Sequence, residues 1–173
     1  MKTDLLRFSP RQKYCFFDYE TCSLNLGSPQ NKPWQLAFII TEGKRVIKRS
    51  KHHIKWKDLN VSAAAAKITG FNKAKHDKIA EDPKEVLECF EKYLYDTDYL
   101  IVGHNILGFD VYIHNLHRIL TGKSSDYSYM KRAIDTACLA KAVKKDIKCS
   151  NDENLIGWQY KLNNLIERKL RVN

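Results

Sequence analysis

The run Tyr14-Cys15-Phe16-Phe17 ends on Asp18-Tyr19-Glu20, and no other stretch of this 173-residue chain restricts its fold so tightly. Consecutive aromatic and apolar residues of this kind predict a buried β-strand. On a strand, residues i and i+2 share a face with Cα atoms roughly 7 Å apart, so Asp18 and Glu20 project together. Two neighbouring carboxylates raise each other's pKa unless a cation lies between them. Hard divalent ions such as Mg²⁺ and Mn²⁺ take oxygen ligands, which makes the pair a candidate half-site for one. A solvated turn or a helix cap is the ordinary alternative for two acids taken alone.

The rest of the chain reads as one mixed sheet. "PWQLAFIIT" forms a second strand, and "EGK" at 42–44 turns the chain into a third, "RVIKRSKHHIKW". A short alanine-rich helix over Ser62–Lys67 stops at Gly70. "DPKEVLECFEKYLY" is an amphipathic helix with Pro in its first turn and Val86, Leu87, Phe90, Tyr93 and Leu94 at helical spacing. "DYLIVGHN" is a fourth strand, "FDVYIHNLHRILTG" a helix closed by Gly122, and "RAID" a short fifth strand. Helices follow at "TACLAKAVKK" and "NLIGWQYKLNNLIERKL". A meander followed by strands alternating with helices indicates the α/β class with a five-stranded mixed sheet: three antiparallel strands, then two parallel ones, flanked by helices.

A third acid follows the fourth strand. In "LIVGHNILGFDVYIHN" an apolar strand ends on Gly-His-Asn, and Phe109-Asp110 opens a helix. Asp110 suits a helix N-terminus electrostatically, and it could equally present a third carboxylate beside the first strand.

"FFDYETCSL" and "GHNILGFD", in this order and with "VSAAAAKITGFNKAKHD" between them and "AIDTACLAKA" after them, resemble the motifs of the DEDD superfamily of 3′-to-5′ exonucleases, in its DnaQ-like proofreading branch. The resemblance implies a ribonuclease-H-like fold spanning residues 1–173 as one domain. It implies two Mg²⁺ or Mn²⁺ ions, Asp18 bridging both and Glu20 and Asp110 completing their coordination, for in-line hydrolysis of a phosphodiester at a nucleic-acid 3′ end. It also implies that Thr21, Cys22 and Leu24 lie against the terminal nucleotide, with Asn105 and Phe109 lining the same pocket. Single-stranded DNA is the favoured substrate, RNA remains open, and a DNA-replication polymerase or the remainder of a longer polypeptide is the expected partner.

Two departures from the family pattern stand out. Ser23 replaces a common glycine, and neither His-x4-Asp nor Tyr-x3-Asp follows Asp110; Tyr160 is followed three residues later by Asn164. That motif supplies the general base and the fourth acid. Three explanations stay open: a domain lacking its C-terminal helix, a catalytically inactive module that binds nucleic acid or a polymerase, or substitution by Asp135 or Asp152.

Composition agrees with a polyanionic partner. Thirty Lys and Arg against 20 Asp and Glu give a formal charge of +10. Lys44 to Lys57 holds seven cations and no acid, and Arg168, Lys169 and Arg171 form a second cluster. Five scattered cysteines without a C-x-x-C pair, and the absence of an apolar run of membrane-spanning length, suit a reduced, cytoplasmic setting without a membrane partner. Asp110, His114 and His117 fall on one helical face at i, i+4 and i+7, and the two histidines are expected to lie along that helix near solvent.

Overall fold

A computed structural model describes residues 10–144 apart from 24, 26, 27, 29 and 30. Five strands, β1 (Lys13–Thr21), β2 (Pro33–Glu42), β3 (Arg45–His53), β4 (Tyr99–Gly103) and β5 (Ala133–Asp135), form one sheet in the order β3-β2-β1-β4-β5. The first three pair antiparallel, whereas β1–β4 and β4–β5 pair parallel. The expected α/β architecture, a meander plus two parallel strands, is therefore what the chain adopts.

β1 is central in the sheet, and its residues alternate. Cys15, Phe17 and Tyr19 are buried with Leu36, Phe38 and Ile40 of β2, while Phe16 and Asp18 on the opposite side are exposed. The continuous apolar run thus belongs to a strand with one face packed on helices, which period-2 geometry allows even when both faces read apolar.

The covering helices are α3 (Pro83–Leu94) and α4 (Asp110–Leu120). Val86, Phe90 and Leu94 of α3 and Val111 and Ile113 of α4 close the core. Each fully buried side chain of this size contributes about 1.5–3 kcal/mol. Asp82 caps α3, its Oδ1 accepting from Lys84 N–H at 2.8 Å and Glu85 N–H at 3.3 Å, with Pro83 at the first position. At the other end Arg132 donates from Nη2 to the Leu94 carbonyl at 2.8 Å, and from Nη1 to the Tyr99 carbonyl.

The alanine-rich helix α1 (Ala63–Thr69) is capped by Ser62 and ends at Gly70, where φ is 70°. A further helix, α2 (Lys73–Ile79), was not expected. It is polar and buries only His76, so it has no apolar stripe for periodicity to detect. α5 (Thr136–Lys144) follows β5 as expected. The anticipated C-terminal helix, with Asp152, Tyr160, Asn164 and the basic cluster 168–171, lies outside the described residues. Among the described residues no helix is long and apolar enough to cross a membrane.

Candidate active site

β4 stops at Gly103 while β1 runs on to Thr21, and β1–β4 pairing ends at Phe16 opposite Val102. The edge of β1 beyond that point has no strand beside it, and Asp110 occupies the space. Its Oδ1 accepts the Tyr19 N–H at 2.7 Å. Asp110 is thereby fixed to the backbone between Asp18 and Glu20, which links all three predicted carboxylates to one strand end. The turn that brings α4 there needs glycine at 103, because a Cβ would lie 3.1 Å from the Phe17 carbonyl oxygen and 1.9 Å from Ile106 Cγ2.

The carboxylates disfavour each other's charge. Burial pushes the Asp110 carboxyl up to about 8, and Asp18 and Glu20 add to the rise against the opposing Tyr19 N–H. Desolvation raises Asp18, whose side chain still reaches solvent. Glu20 is raised by desolvation first and Asp18 second, with Lys51 opposing. None of the three has an ion-pair partner among the described residues. An all-oxygen donor set with uncompensated repulsion suits a hard divalent cation. Among the described residues no three such side chains already converge as a closed metal cluster. Asp110 commits one oxygen to Tyr19, and Asp18 faces outward.

The predicted substrate-side residues are distributed around this point. A β-bulge separates Glu20 from Thr21 and re-aims the chain. Thr21 is buried, with Oγ1 donating to the Ser23 carbonyl at 2.7 Å. Cys22 is buried, its N–H donating to the Lys32 carbonyl at 3.1 Å and its own carbonyl accepting from Ser62 N–H at 3.1 Å. Leu24 lies outside the described residues. Asn105 is exposed in the left-handed region with φ 58°, and Phe109 packs partly buried against the core.

Sequence reasoning missed the roles of three residues. Asn31, fully buried, receives the Ser23 N–H on Oδ1 at 3.0 Å and so pins the loop after Glu20. Asp135, 3% exposed, accepts from the N–H groups of Asn105 at 2.8 Å, Leu107 at 3.2 Å and Ala137 at 2.9 Å. It ties down the loop that carries Asn105 and Phe109, and that use leaves it unsuited to stand in for a missing acid. Tyr19 is the third, and it corrects the reading of the histidines. His114 and His117 are fully buried, not near solvent, and their Nδ1 atoms lie 3.2 and 3.3 Å from the Tyr19 hydroxyl. His117 Nε2 donates to the Pro83 carbonyl at 2.9 Å, which leaves its Nδ1 to accept from Tyr19. No spacing rule could have found this, because amphipathic periodicity does not say which polar residues a hydroxyl from another element will meet.

The family model described as Exonuclease matches residues 15–168. Among solved structures, the metal-free form of the E. coli ExoI–ssDNA complex shares the fold at a TM-score of 0.67 and 19% identity, covering 77% of this chain and 30% of that one. The zinc-bound form of the same complex gives 0.68 and 19%, covering 77% and 30%. A product-bound exonuclease I gives 0.68 and 18%, covering 78% and 32%. The chain thus spans about a third of the length of the solved chains it matches. No curated protein matches it. With its family match over most of its length and its β3-β2-β1-β4-β5 sheet, the chain belongs to the exonuclease family, as a DEDD-type member with a ribonuclease-H-like fold.

Proposed function

We propose that this chain is a 3′-to-5′ exonuclease domain that removes mononucleotides from the 3′ end of single-stranded DNA. The observation that carries the reading is the Asp110 carboxylate bonded to the backbone between Asp18 and Glu20. Asp18, Glu20 and Asp110 would hold two Mg²⁺ or Mn²⁺ ions, which when bound supply charge neutralisation and an acidified water. The chain's own residues orient the reaction. β1 holds Asp18 and Glu20 rigidly, Tyr19 sets the depth of Asp110, and Thr21, Cys22, Leu24, Asn105 and Phe109 receive the terminal nucleotide. The folds of ssDNA-bound exonuclease I support DNA as the substrate class, in a domain that would work within a larger protein or beside a polymerase.

Incubating the full chain with end-labelled single-stranded DNA and Mn²⁺ should release 5′-mononucleotides from the 3′ end. Asp18→Ala should abolish release, and undiminished activity in that variant would sink the proposal. An RNA strand of the same sequence in parallel tests the preference for DNA.

One observation favours a second reading, a binding module without catalysis. Among the described residues no histidine is placed as a general base. His52 contacts Glu81, His76 the Ile54 carbonyl and His104 Thr136, His53 lies two strands from Glu20 across Gln35, and His114 and His117 lie beneath Tyr19. Tight metal-independent binding without nucleotide release at any Mn²⁺ concentration would select this reading.

A further inference from the structure

A cavity of about 290 Å³ opens on the Glu20 side of the sheet, beneath α1 and α2. Its lining includes Trp34, Gln35, Lys51, His53, Asn72 and Lys75. Strand register joins it to the candidate active site: Glu20 pairs with Gln35, which pairs with His53, and Asp18 pairs with Ala37, which pairs with Lys51. Paired residues share a face, and two strand spacings come to roughly 10 Å. The carboxylates and the cavity are therefore neighbours on one surface, with the small Ala37 between Asp18 and Lys51.

Two features of the lining call for a ligand. Trp34 is 2% exposed, yet its indole Nε1 has no hydrogen-bond partner among the described residues. His53 Nδ1 is buried and equally unpartnered. A buried orphan donor is costly, and polar cavities commonly satisfy such atoms with a bound molecule. Burial holds His53 below its ordinary pKa, so the neutral ring can meet a base edge as donor or acceptor. At the mouth, Lys51 and Lys75 are both exposed ammonium groups, the arrangement that takes a phosphate. The volume is at the low end of the ~300–1,000 Å³ of small-molecule sites, room for one base and not for a duplex.

We propose that this cavity is a second nucleotide subsite, holding a base and its phosphate from the strand whose 3′ end lies at Asp18, Glu20 and Asp110. The inference rests on the exonuclease reading for its choice of ligand. Lys51 and Lys75 grip the backbone, while Trp34, Gln35 and His53 receive the base. The strand is thereby held away from its end, and the product nucleotide leaves without the strand dissociating.

Fluorescence anisotropy with the full chain in EDTA tests this, comparing labelled dinucleotide with labelled oligodeoxythymidine of roughly eight nucleotides. The wild-type chain should gain affinity with length. Lys51→Gln/Lys75→Gln should lose roughly tenfold of that gain and show a shallower salt dependence, by about 0.7 per phosphate contact. Lys84→Gln/Lys92→Gln removes the same charge from exposed positions on α3 and should keep the gain. Equal behaviour of the two double variants would overturn the subsite, as would a loss confined to free thymidine monophosphate. Failure of the exonuclease reading looks different: no nucleotide release with Mn²⁺, while the length effect and its loss in Lys51→Gln/Lys75→Gln persist.

Discussion

Asp135 and Asp110 are both nearly buried carboxylates, and their surroundings assign them opposite work. Asp135 accepts three backbone N–H groups, enough to satisfy its charge without a cation. Asp110 has one, and two further acids beside it. Asp135→Asn should therefore cost about 2 kcal/mol in urea denaturation, because it replaces an acceptor with an amide that faces N–H groups. Asp110→Asn, which keeps an oxygen for the Tyr19 N–H and removes the repelled charge, should instead leave stability unchanged or raise it, so the sign of the change separates the two residues. Tyr19→Phe deprives His117 Nδ1 of its donor and should cost about 1–3 kcal/mol in the same measurement.

At the scale of the element, α4 is a helix with a carboxylate at its first position and two core histidines a turn or two on. Burial lowers His117 to about 4 and drives His114 well down, with His117, Arg118 and Lys123 adding repulsion at His114. His114 Nε2 does lie 3.6 Å from Glu91, but Glu91 is already engaged by Arg118 and by Lys123 at 2.8 Å. His114 also meets Tyr19 and Tyr95, and His117 meets Tyr19, Trp56 and the Pro83 carbonyl. Below about 6.5 the unfolded chain binds protons that the folded chain refuses. The stability His117 contributes is therefore complete above that pH and is lost progressively down to about 4, at about 3 kcal/mol, and His114 acts in the same direction. Asp110, raised to about 8, acts in the opposite sense over the same window, so chemical denaturation at pH 7 and pH 5 shows the histidines' decline by comparison with a variant that lacks one of them. His117→Gln, which keeps a donor for Pro83, should flatten it.

Over the whole molecule, the sheet order places the acidic strand end near the middle of the sheet and the cationic strand β3 at its edge. Mn²⁺ at a hundred times its dissociation constant should stabilise the folded chain by about 2.7 kcal/mol, seen as a rise in Tm. The rise should disappear in Asp18→Asn, because the Asp18 carboxylate is desolvated without the ion and its charge is what raises Glu20 and Asp110. Excess EDTA should reverse it.

The sequence alone determined the order of the five strands, the α/β class and the shared face of Asp18 and Glu20. These depend on local information: apolar runs, caps, and the two-residue repeat that puts Asp18 and Glu20 on one face. The short polar helix α2 escaped notice because it has no stripe, and the one-sided burial of β1 because an all-apolar run does not reveal which face is covered. Only the tertiary structure decided that Asp110 is held on the Tyr19 N–H, that Asp135 is fully used by a loop, and that His114 and His117 are core residues. Each of those is a hydrogen bond between atoms 28 to 98 residues apart in the chain, and such a bond exists only once the sheet has brought its strand ends together.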